Sequence, residues 1–223
     1  MSMKLFWNAI IKFSCGVILT AALLLLPAGT LNYPHAWLFM ALLFIPMFIG
    51  GIFMMFKNLS LLEHRLNAKE KEHTQDIVIK LSGLMFIVSF VLAGLNYRFN
   101  WTSLPKFVVI IASIIFLVAY LLYCEVLREN TFLSRTIEVQ ANQTVVDTGL
   151  YGIVRHPMYS VTLLLFMSMP LILNSWPSFL ILLFYPFIII ARIKNEEEVL
   201  KRELRGYEAY THKVKYRLIP YIY

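Results

Sequence analysis

The sequence has few cysteines and few charges. It contains 2 cysteines among 223 residues, and only 15% of its residues are charged, whereas 59% are hydrophobic. Cys15 and Cys124 have no paired spacing and no neighbouring cluster of histidine and cysteine, which argues against a disulfide framework and against a zinc site. We therefore expect no metal. Ordinary soluble domains are about half apolar, so this composition indicates an integral membrane protein.

Charge is absent from several long stretches. A spanning helix needs about 20 apolar residues, and three runs near that length contain no charged residue, while a fourth carries only Lys80 near its end. These runs are residues 13–31, 36–56, 77–95 and 107–124. A longer uncharged run, 161–191, is interrupted by the turn-forming letters "NSWP", which predicts a helical hairpin. We predict an all-α integral membrane protein with about six hydrophobic helical segments: four spans and a C-terminal hairpin.

The basic surplus is unevenly distributed. The net charge is +7, and an arrangement of six segments places 18 of the 20 lysines and arginines on one side, leaving Arg98 and Lys106 on the other. By the positive-inside rule, both termini and the two long polar loops face the cytoplasm. Membrane lipids with anionic headgroups account for the surplus, so no nucleic-acid partner is required. We expect a bacterial inner membrane, with the endoplasmic reticulum as the alternative.

Nothing in the sequence divides the chain into separate domains. It has no internal repeat, no low-complexity segment and no linker rich in proline, glycine and serine. We predict a single membrane domain, in which residues 1–124 form scaffold spans and residues 125–223 carry the chemistry. In the second part, "TIEVQ" at 136–140 and "TVVDTG" at 144–149 predict an ordered, extended loop against the membrane face.

Unusual polar groups are concentrated where the hairpin begins, in "GLYGIVRHPMY" at residues 149–159. Pro157 suits the first turn of a helix, because its missing N–H would have no partner there. This predicts a helix over residues 157–173, with His156 near its cap and Arg155 just outside.

A second polar cluster follows the hairpin. Arg192 and Glu196 are four residues apart, so they share one face of a helix. Because a hairpin returns to the side that it left, we expect this face to meet Arg155 and His156 in one cytoplasmic cleft. Inward-facing polar residues at a membrane interface indicate function.

Each of these residues also has an ordinary interpretation. Arg192 could belong to a basic flank beside the membrane, and Arg155 could anchor lipid headgroups. His156 could be a solvated helix cap, while Tyr151 and Tyr159 could belong to an interfacial aromatic belt. None of these interpretations explains why the residues occur together in this order.

The combined pattern resembles a known family. "GLYGIVRHPMY", a hairpin, "RIKNEE", "GYEAY" and "RLIP" together resemble the isoprenylcysteine carboxyl methyltransferases, integral membrane enzymes that use S-adenosylmethionine, and more loosely the phospholipid N-methyltransferases. The resemblance covers roughly residues 132–220. "GLYG" is not the glycine-rich fingerprint of a soluble nucleotide-binding fold, so the cofactor would lie among helices and the ordered loop.

The resemblance implies roles for individual residues. Arg192 would bind the methyl acceptor and Glu196 the cofactor, which makes them the catalytic pair. The acidic pair stands one residue further from Gly206 than in eukaryotic members, which leaves Glu196 and Glu197 as alternatives. The residues implied to bind S-adenosylmethionine are Gln140, Gln143, Thr144, Val145, Val146, Tyr151, His156, Pro157, Met158, Tyr159 and Glu196.

The chemistry leaves the methyl acceptor open. A carboxylate is already ionised, and an arginine such as Arg192 can hold it by paired hydrogen bonds. An amine or thiol would need a deprotonating group, such as His156 or a glutamate. We predict methyl transfer to a lipophilic small molecule or prenylated acceptor, with a carboxylate as the leading candidate. The alternatives are phospholipid N-methylation, thiol S-methylation, and a non-enzymatic membrane scaffold or permease. The chain is shorter than the eukaryotic enzymes, so a prenylcysteine substrate does not follow from the pattern.

Overall fold

The fold is built from helices. A computed structural model describes residues 3–57, 59–66, 73–133 and 139–223; residues 136–138 of the predicted extended run lie outside these ranges. No strand occurs in the described residues, and the all-α prediction is confirmed. The helices are α1 (Met3–Ala28), α2 (Pro34–Lys57), α3 (Leu59–Leu66), α4 (His73–Phe99), α5 (Lys106–Glu129), α6 (Pro157–Ile172), α7 (Trp176–Leu182), α8 (Tyr185–Glu203) and α9 (Tyr207–Lys213).

Five segments in the described part of the chain are long and apolar enough to cross a membrane. Four of them fall in α1, α2, α4 and α5 and confirm the four predicted spans. The fifth, Trp176–Glu203, combines α7 and α8. Helix α6 has 16 residues, fewer than the roughly 20 that a perpendicular crossing needs. Because five segments can cross a membrane, the chain is an integral, multi-pass membrane protein.

The C-terminal hairpin has one continuous arm and one broken arm. Helix α6 begins at Pro157, as predicted, and its C-cap is Leu173. Ser175 then caps α7 by accepting a hydrogen bond from the backbone N–H of Ser178. The second arm breaks between α7 and α8, because Pro186 has no N–H to continue the helical hydrogen bonds.

Polar contacts hold the tip of the hairpin. The Asn174 side-chain oxygen accepts from the backbone N–H of Leu104 at 2.6 Å, and the Asn174 carbonyl accepts from Asn96 Nδ2 at 3.1 Å. Tyr33 donates its hydroxyl to the Leu173 carbonyl at 2.7 Å. Polar groups in an apolar environment are costly unless they are paired, so these bonds fix the turn. They hold the arms in a register that brings the start of α6 beside α8.

Helices α1 and α4 approach closely at a glycine. A Cβ at Gly94 would lie 2.5 Å from the Leu24 carbonyl oxygen and 2.9 Å from Pro27 Cβ. Small residues permit such backbone approach between membrane helices. We expect Gly94→Ala to lower the free energy of unfolding by about 1–3 kcal/mol, measured by denaturation in detergent. Gly83→Ala is the matched control in the same helix, because its Cβ would meet nothing within 4 Å. Equal stability of the two variants would contradict the close approach.

Candidate active site

A cleft lies where the two arms of the hairpin meet the loop before it. The space between its walls, including the mouth that is open to solvent, is about 810 Å³. The walls come from the end of α5, the loop before α6, the first turn of α6, α8 and α9. The lining residues are Asn130, Phe132, Leu133, Gln143, Thr144, Val145, Val146, Tyr151, Arg155, His156, Met158, Tyr159, Arg192, Glu196, Leu200, Leu204, Tyr207 and Tyr210.

The register of α8 separates its two adjacent glutamates. Arg192, Glu196 and Leu200 recur every four residues and line the cleft, as residues on one helical face do. Ile193 and Glu197 are each one position further and are buried in the protein. Glu196 therefore faces the cleft and Glu197 faces the interior. Which of them contacts a cofactor stays a prediction.

A row of polar groups crosses the cleft. Tyr159 donates its hydroxyl to a carboxylate oxygen of Glu196, and Arg192 Nε donates to the Tyr159 hydroxyl at 2.8 Å. The Arg192 guanidinium carbon lies 5.9 Å from the centre of the Tyr159 ring. His156 Nδ1 lies 3.9 Å from Glu196 Oε1. With Arg155 also in the lining, the predicted convergence of the two polar clusters in one cleft is confirmed.

The carboxylate of Glu197 lies within hydrogen-bond distance of three side chains. It accepts from Arg155 Nε at 2.7 Å and from Arg217 Nε at 2.9 Å, and His156 Nε2 lies 3.2 Å from its Oε1. Glu197 is only 3% exposed and Arg155 only 8%. Because an ionised carboxylate only accepts hydrogen bonds, His156 carries a proton on Nε2, and Nδ1 is the ring nitrogen nearest Glu196. Glu197 thus sets the orientation of the imidazole.

The chain after α9 clamps the start of α6. Arg155 Nη1 donates to the carbonyls of residues 214 and 215 at 2.8 and 2.9 Å. The backbone N–H groups of Arg155 and His156 donate to the carbonyls of residues 216 and 217, each at 2.9 Å. The segment 214–217, which ends at the first residue of "RLIP", therefore has a structural role that the sequence did not predict. Its only sequence signal was that it forms part of the family resemblance.

Helix α9 supplies an aromatic wall. Gly206, in the left-handed region with φ +88°, lets the chain turn from α8 into α9 and brings Tyr207 and Tyr210 to the cleft. Tyr210 donates its hydroxyl to the Tyr151 carbonyl at 2.7 Å. Burial raises the pKa of the Tyr151 and Tyr210 phenols, so both remain neutral. The "GYEAY" segment is part of the family resemblance, but the sequence predicted no role for its tyrosines.

Most of the residues implied for the cofactor line the cleft. Two do not. Gln140 is not among the lining residues; its Nε2 donates to the Phe132 carbonyl at 2.7 Å and its backbone N–H donates to Gln143 Oε1 at 2.8 Å. Pro157 is buried in the first turn of α6. The backbone of residues 144–146 forms no hydrogen bond with another described residue, so its polar groups can bind a ligand. The cofactor roles stay predictions.

Comparison with known proteins identifies the region around this cleft. Residues 107–205 match the family model described as phospholipid methyltransferase; they include all of α5 except its first residue, together with α6, α7 and α8. Over 91 residues the chain is 29% identical to "Delta(14)-sterol reductase TM7SF2" of Mus musculus, a match that covers 40% of this chain and 22% of the mouse protein. The chain thus matches about a fifth of that relative's length. The family whose model matches residues 107–205 includes membrane enzymes like the isoprenylcysteine carboxyl methyltransferases, and the resemblance seen in the sequence is confirmed.

Proposed function

We propose that the chain transfers a methyl group from S-adenosylmethionine to a lipophilic carboxylate at the membrane interface. The observation that carries this proposal is the hydrogen-bonded row of Arg192, Tyr159 and Glu196 in the cleft. All three residues lie within the region 107–205 that matches the phospholipid methyltransferases. In this row, the cationic Arg192 is suited to bind a carboxylate acceptor, and the anionic Glu196 is suited to bind the cationic methyl donor.

The residues of the cleft fit S-adenosylmethionine chemically. Its sulfonium, ammonium and ribose hydroxyl groups can all interact with a carboxylate, and the Glu196 side chain is 23% exposed in the cleft. The backbone groups of residues 144–146 can pair with polar edges of a nucleoside. Val145, Leu200 and Leu204 offer apolar surface for a flat base. Glu196, rather than Glu197, would hold the cofactor under this proposal.

The charge of the acceptor determines which residues methyl transfer needs. When bound, S-adenosylmethionine would supply a methyl group whose carbon the acceptor oxygen attacks, and S-adenosylhomocysteine would leave as the carbon–sulfur bond breaks. Arg192 would hold the acceptor carboxylate by charged hydrogen bonds and align it with that methyl group. A carboxylate enters ionised, so no side chain has to remove a proton. Positioning would then be the main catalytic contribution of the protein.

An amine of a phospholipid headgroup is the second candidate acceptor. It is favoured by the description of the family that matches residues 107–205. An amine must lose a proton to become a nucleophile, and Glu196 or His156 would have to accept it. The mouse relative is named for a sterol, which supports a lipophilic substrate here as well, while reduction would require a hydride donor instead of a methyl donor.

Methyl transfer from labelled S-adenosylmethionine to three acceptors would test the proposal. The acceptors are a prenylated cysteine analogue with a free carboxylate, phosphatidylethanolamine and a long-chain thiol. We expect label on the carboxylate, released as methanol by mild base because it is an ester. Base-stable label on phosphatidylethanolamine would replace this proposal with the second candidate, and base-stable label on the thiol would likewise contradict it. Cofactor binding without transfer to any of these acceptors would contradict a carboxylate acceptor of this class.

We also propose that the cleft opens to the cytoplasm, with both termini on that side, in a bacterial inner membrane. The support is the distribution of 18 of the 20 basic residues in the predicted arrangement. A reporter that works only outside the cytoplasm should be active when it is inserted after Asn100. A reporter that works only inside the cytoplasm should be active when it is fused after Tyr223. The reverse pattern would contradict this orientation.

A further inference from the structure

The buried hydroxyl of Tyr207 has no hydrogen-bond partner among the residues that the structure describes. The residue is 4% exposed and lines the cleft, yet its hydroxyl forms no hydrogen bond within the described part of the chain. A buried polar group left unpaired is costly, and native proteins pair most such groups. The ligand of the cleft is therefore the natural source of a partner.

The neighbouring tyrosine on α9 provides a contrast. Tyr210 is similarly buried and also lines the cleft, but its hydroxyl is bonded to the Tyr151 carbonyl at 2.7 Å. The phenols of Tyr207 and Tyr210 therefore differ in whether the hydroxyl has a hydrogen-bond partner within the described residues. The Tyr210 hydroxyl is bonded within the fold, whereas the Tyr207 hydroxyl has no partner among the described residues.

The surroundings of Tyr207 restrict what its partner can be. Burial, and the negative charges of Glu197 and Glu196, raise the pKa of the Tyr207 phenol, so the group stays neutral and acts as a donor. Its partner must accept a hydrogen bond where the negative charges of Glu197 and Glu196 each act more strongly than the opposing charge of Arg155, which disfavours an anion. A neutral hydroxyl satisfies both demands, because it can accept from a phenol while donating to a carboxylate.

Glu196 has capacity for such a group. A carboxylate offers about four acceptor positions, and Tyr159 uses one of them. Carboxylates commonly bind the hydroxyls of a ribose. A ribose hydroxyl placed between Glu196 and Tyr207 would connect two side chains that have no hydrogen bond with each other.

We propose that Tyr207 is a cofactor-binding residue whose hydroxyl donates a hydrogen bond to a ribose hydroxyl, which in turn donates to Glu196. This inference rests on the proposed function, because it requires an adenosine-containing ligand in the cleft. It adds a residue on α9 to the site, so that the ribose would be bound by Glu196 of α8 together with Tyr207 of α9.

Thermal unfolding of the ligand-free protein in detergent provides the first test. Tyr207→Phe removes an unpaired buried hydroxyl, so its midpoint should equal or exceed that of the wild type. Tyr210→Phe is the matched control and should have a lower midpoint, since it leaves the Tyr151 carbonyl without its donor. A loss in Tyr207→Phe as large as that in Tyr210→Phe would overturn the inference, because it would reveal a structural role for the hydroxyl.

Binding of S-adenosylhomocysteine and its 2′-deoxy and 3′-deoxy analogues, measured by calorimetry, is the second test. We expect Tyr207→Phe to weaken binding of S-adenosylhomocysteine about three- to tenfold. The same substitution should have no effect on one of the two deoxy analogues, which already lacks the accepting hydroxyl. Such a cycle isolates the pairwise interaction.

In the binding test, three results would overturn the inference, and they separate it from the proposed function. Unchanged binding of S-adenosylhomocysteine by Tyr207→Phe would remove the interaction while leaving the methyltransferase proposal intact. An equal penalty for all three ligands would place the hydrogen bond elsewhere. Failure of the folded wild type to bind either S-adenosylhomocysteine or S-adenosylmethionine would overturn both.

Discussion

Replacing Glu197 with alanine should lower the free energy of unfolding by about 3–5 kcal/mol. The carboxylate is 3% exposed and accepts from Arg155 and Arg217 at 2.7 and 2.9 Å. Removing it leaves the guanidinium of Arg155, itself 8% exposed, without its buried counter-ion. An isolated buried charge costs far more than a paired one. Denaturation in detergent, followed by helical circular dichroism, would measure the loss.

The matched control for this variant is Glu125→Ala. Glu125 also pairs with an arginine, Arg128, at 2.6 Å, but the two side chains are 40% and 71% exposed. Exposed pairs contribute about 0–1 kcal/mol, so this control should remain close to the wild type. If Glu197→Ala proved as stable as Glu125→Ala, the buried network would not hold the start of α6 in place.

Arg192→Lys should reduce the rate of methyl transfer about 10- to 100-fold. The guanidinium donates from Nε to the Tyr159 hydroxyl at 2.8 Å, and its planar shape suits the paired hydrogen bonds that would hold an acceptor carboxylate in a fixed direction. Lysine keeps the charge but loses this paired geometry. Charged hydrogen bonds contribute about 1.5–3 kcal/mol each, which sets the expected size of the effect. Single-turnover transfer of labelled methyl groups would measure the rate with cofactor saturating.

The rate loss should exceed any loss of cofactor affinity, because Arg192 is assigned to the acceptor. Lys194→Gln is the control. It removes an exposed basic residue from the same helix and should leave the rate within about twofold of the wild type, as neighbouring surface charge contributes little. A wild-type rate in Arg192→Lys, or a loss fully explained by weaker cofactor binding, would contradict this assignment.

The spans could be predicted because charge is costly inside a bilayer. Uncharged runs therefore located α1, α2, α4 and α5, but not their ends. Helix α1 begins at Met3, ten residues before its uncharged run, and includes Lys4 and Lys12. Long basic side chains near a helix end can reach the headgroup region, so a lysine does not stop a helix. The break before α8 was also missed, although Pro186 was its signal.

The meeting of the two polar clusters could be predicted as well, because it follows from a simple hairpin and from a four-residue spacing on one helix. The sequence alone could not predict that Glu196 faces the cleft whereas Glu197 faces the interior. This difference depends on the rotation of α8 against its neighbours, which side-chain packing decides. The contact between Arg217 and Glu197, and the clamp on Arg155, join segments that no local pattern connects.

The central claim is that the cleft binds S-adenosylmethionine, and calorimetry on the detergent-purified protein tests it most directly. The wild type should bind, whereas His156→Ala and Glu196→Gln should each weaken binding by at least about tenfold, as expected when a charged or buried hydrogen bond is lost. Wild-type affinity in both variants would contradict the assignment of these residues. No binding by a folded wild type would contradict the methyltransferase proposal itself and would favour a membrane scaffold or permease.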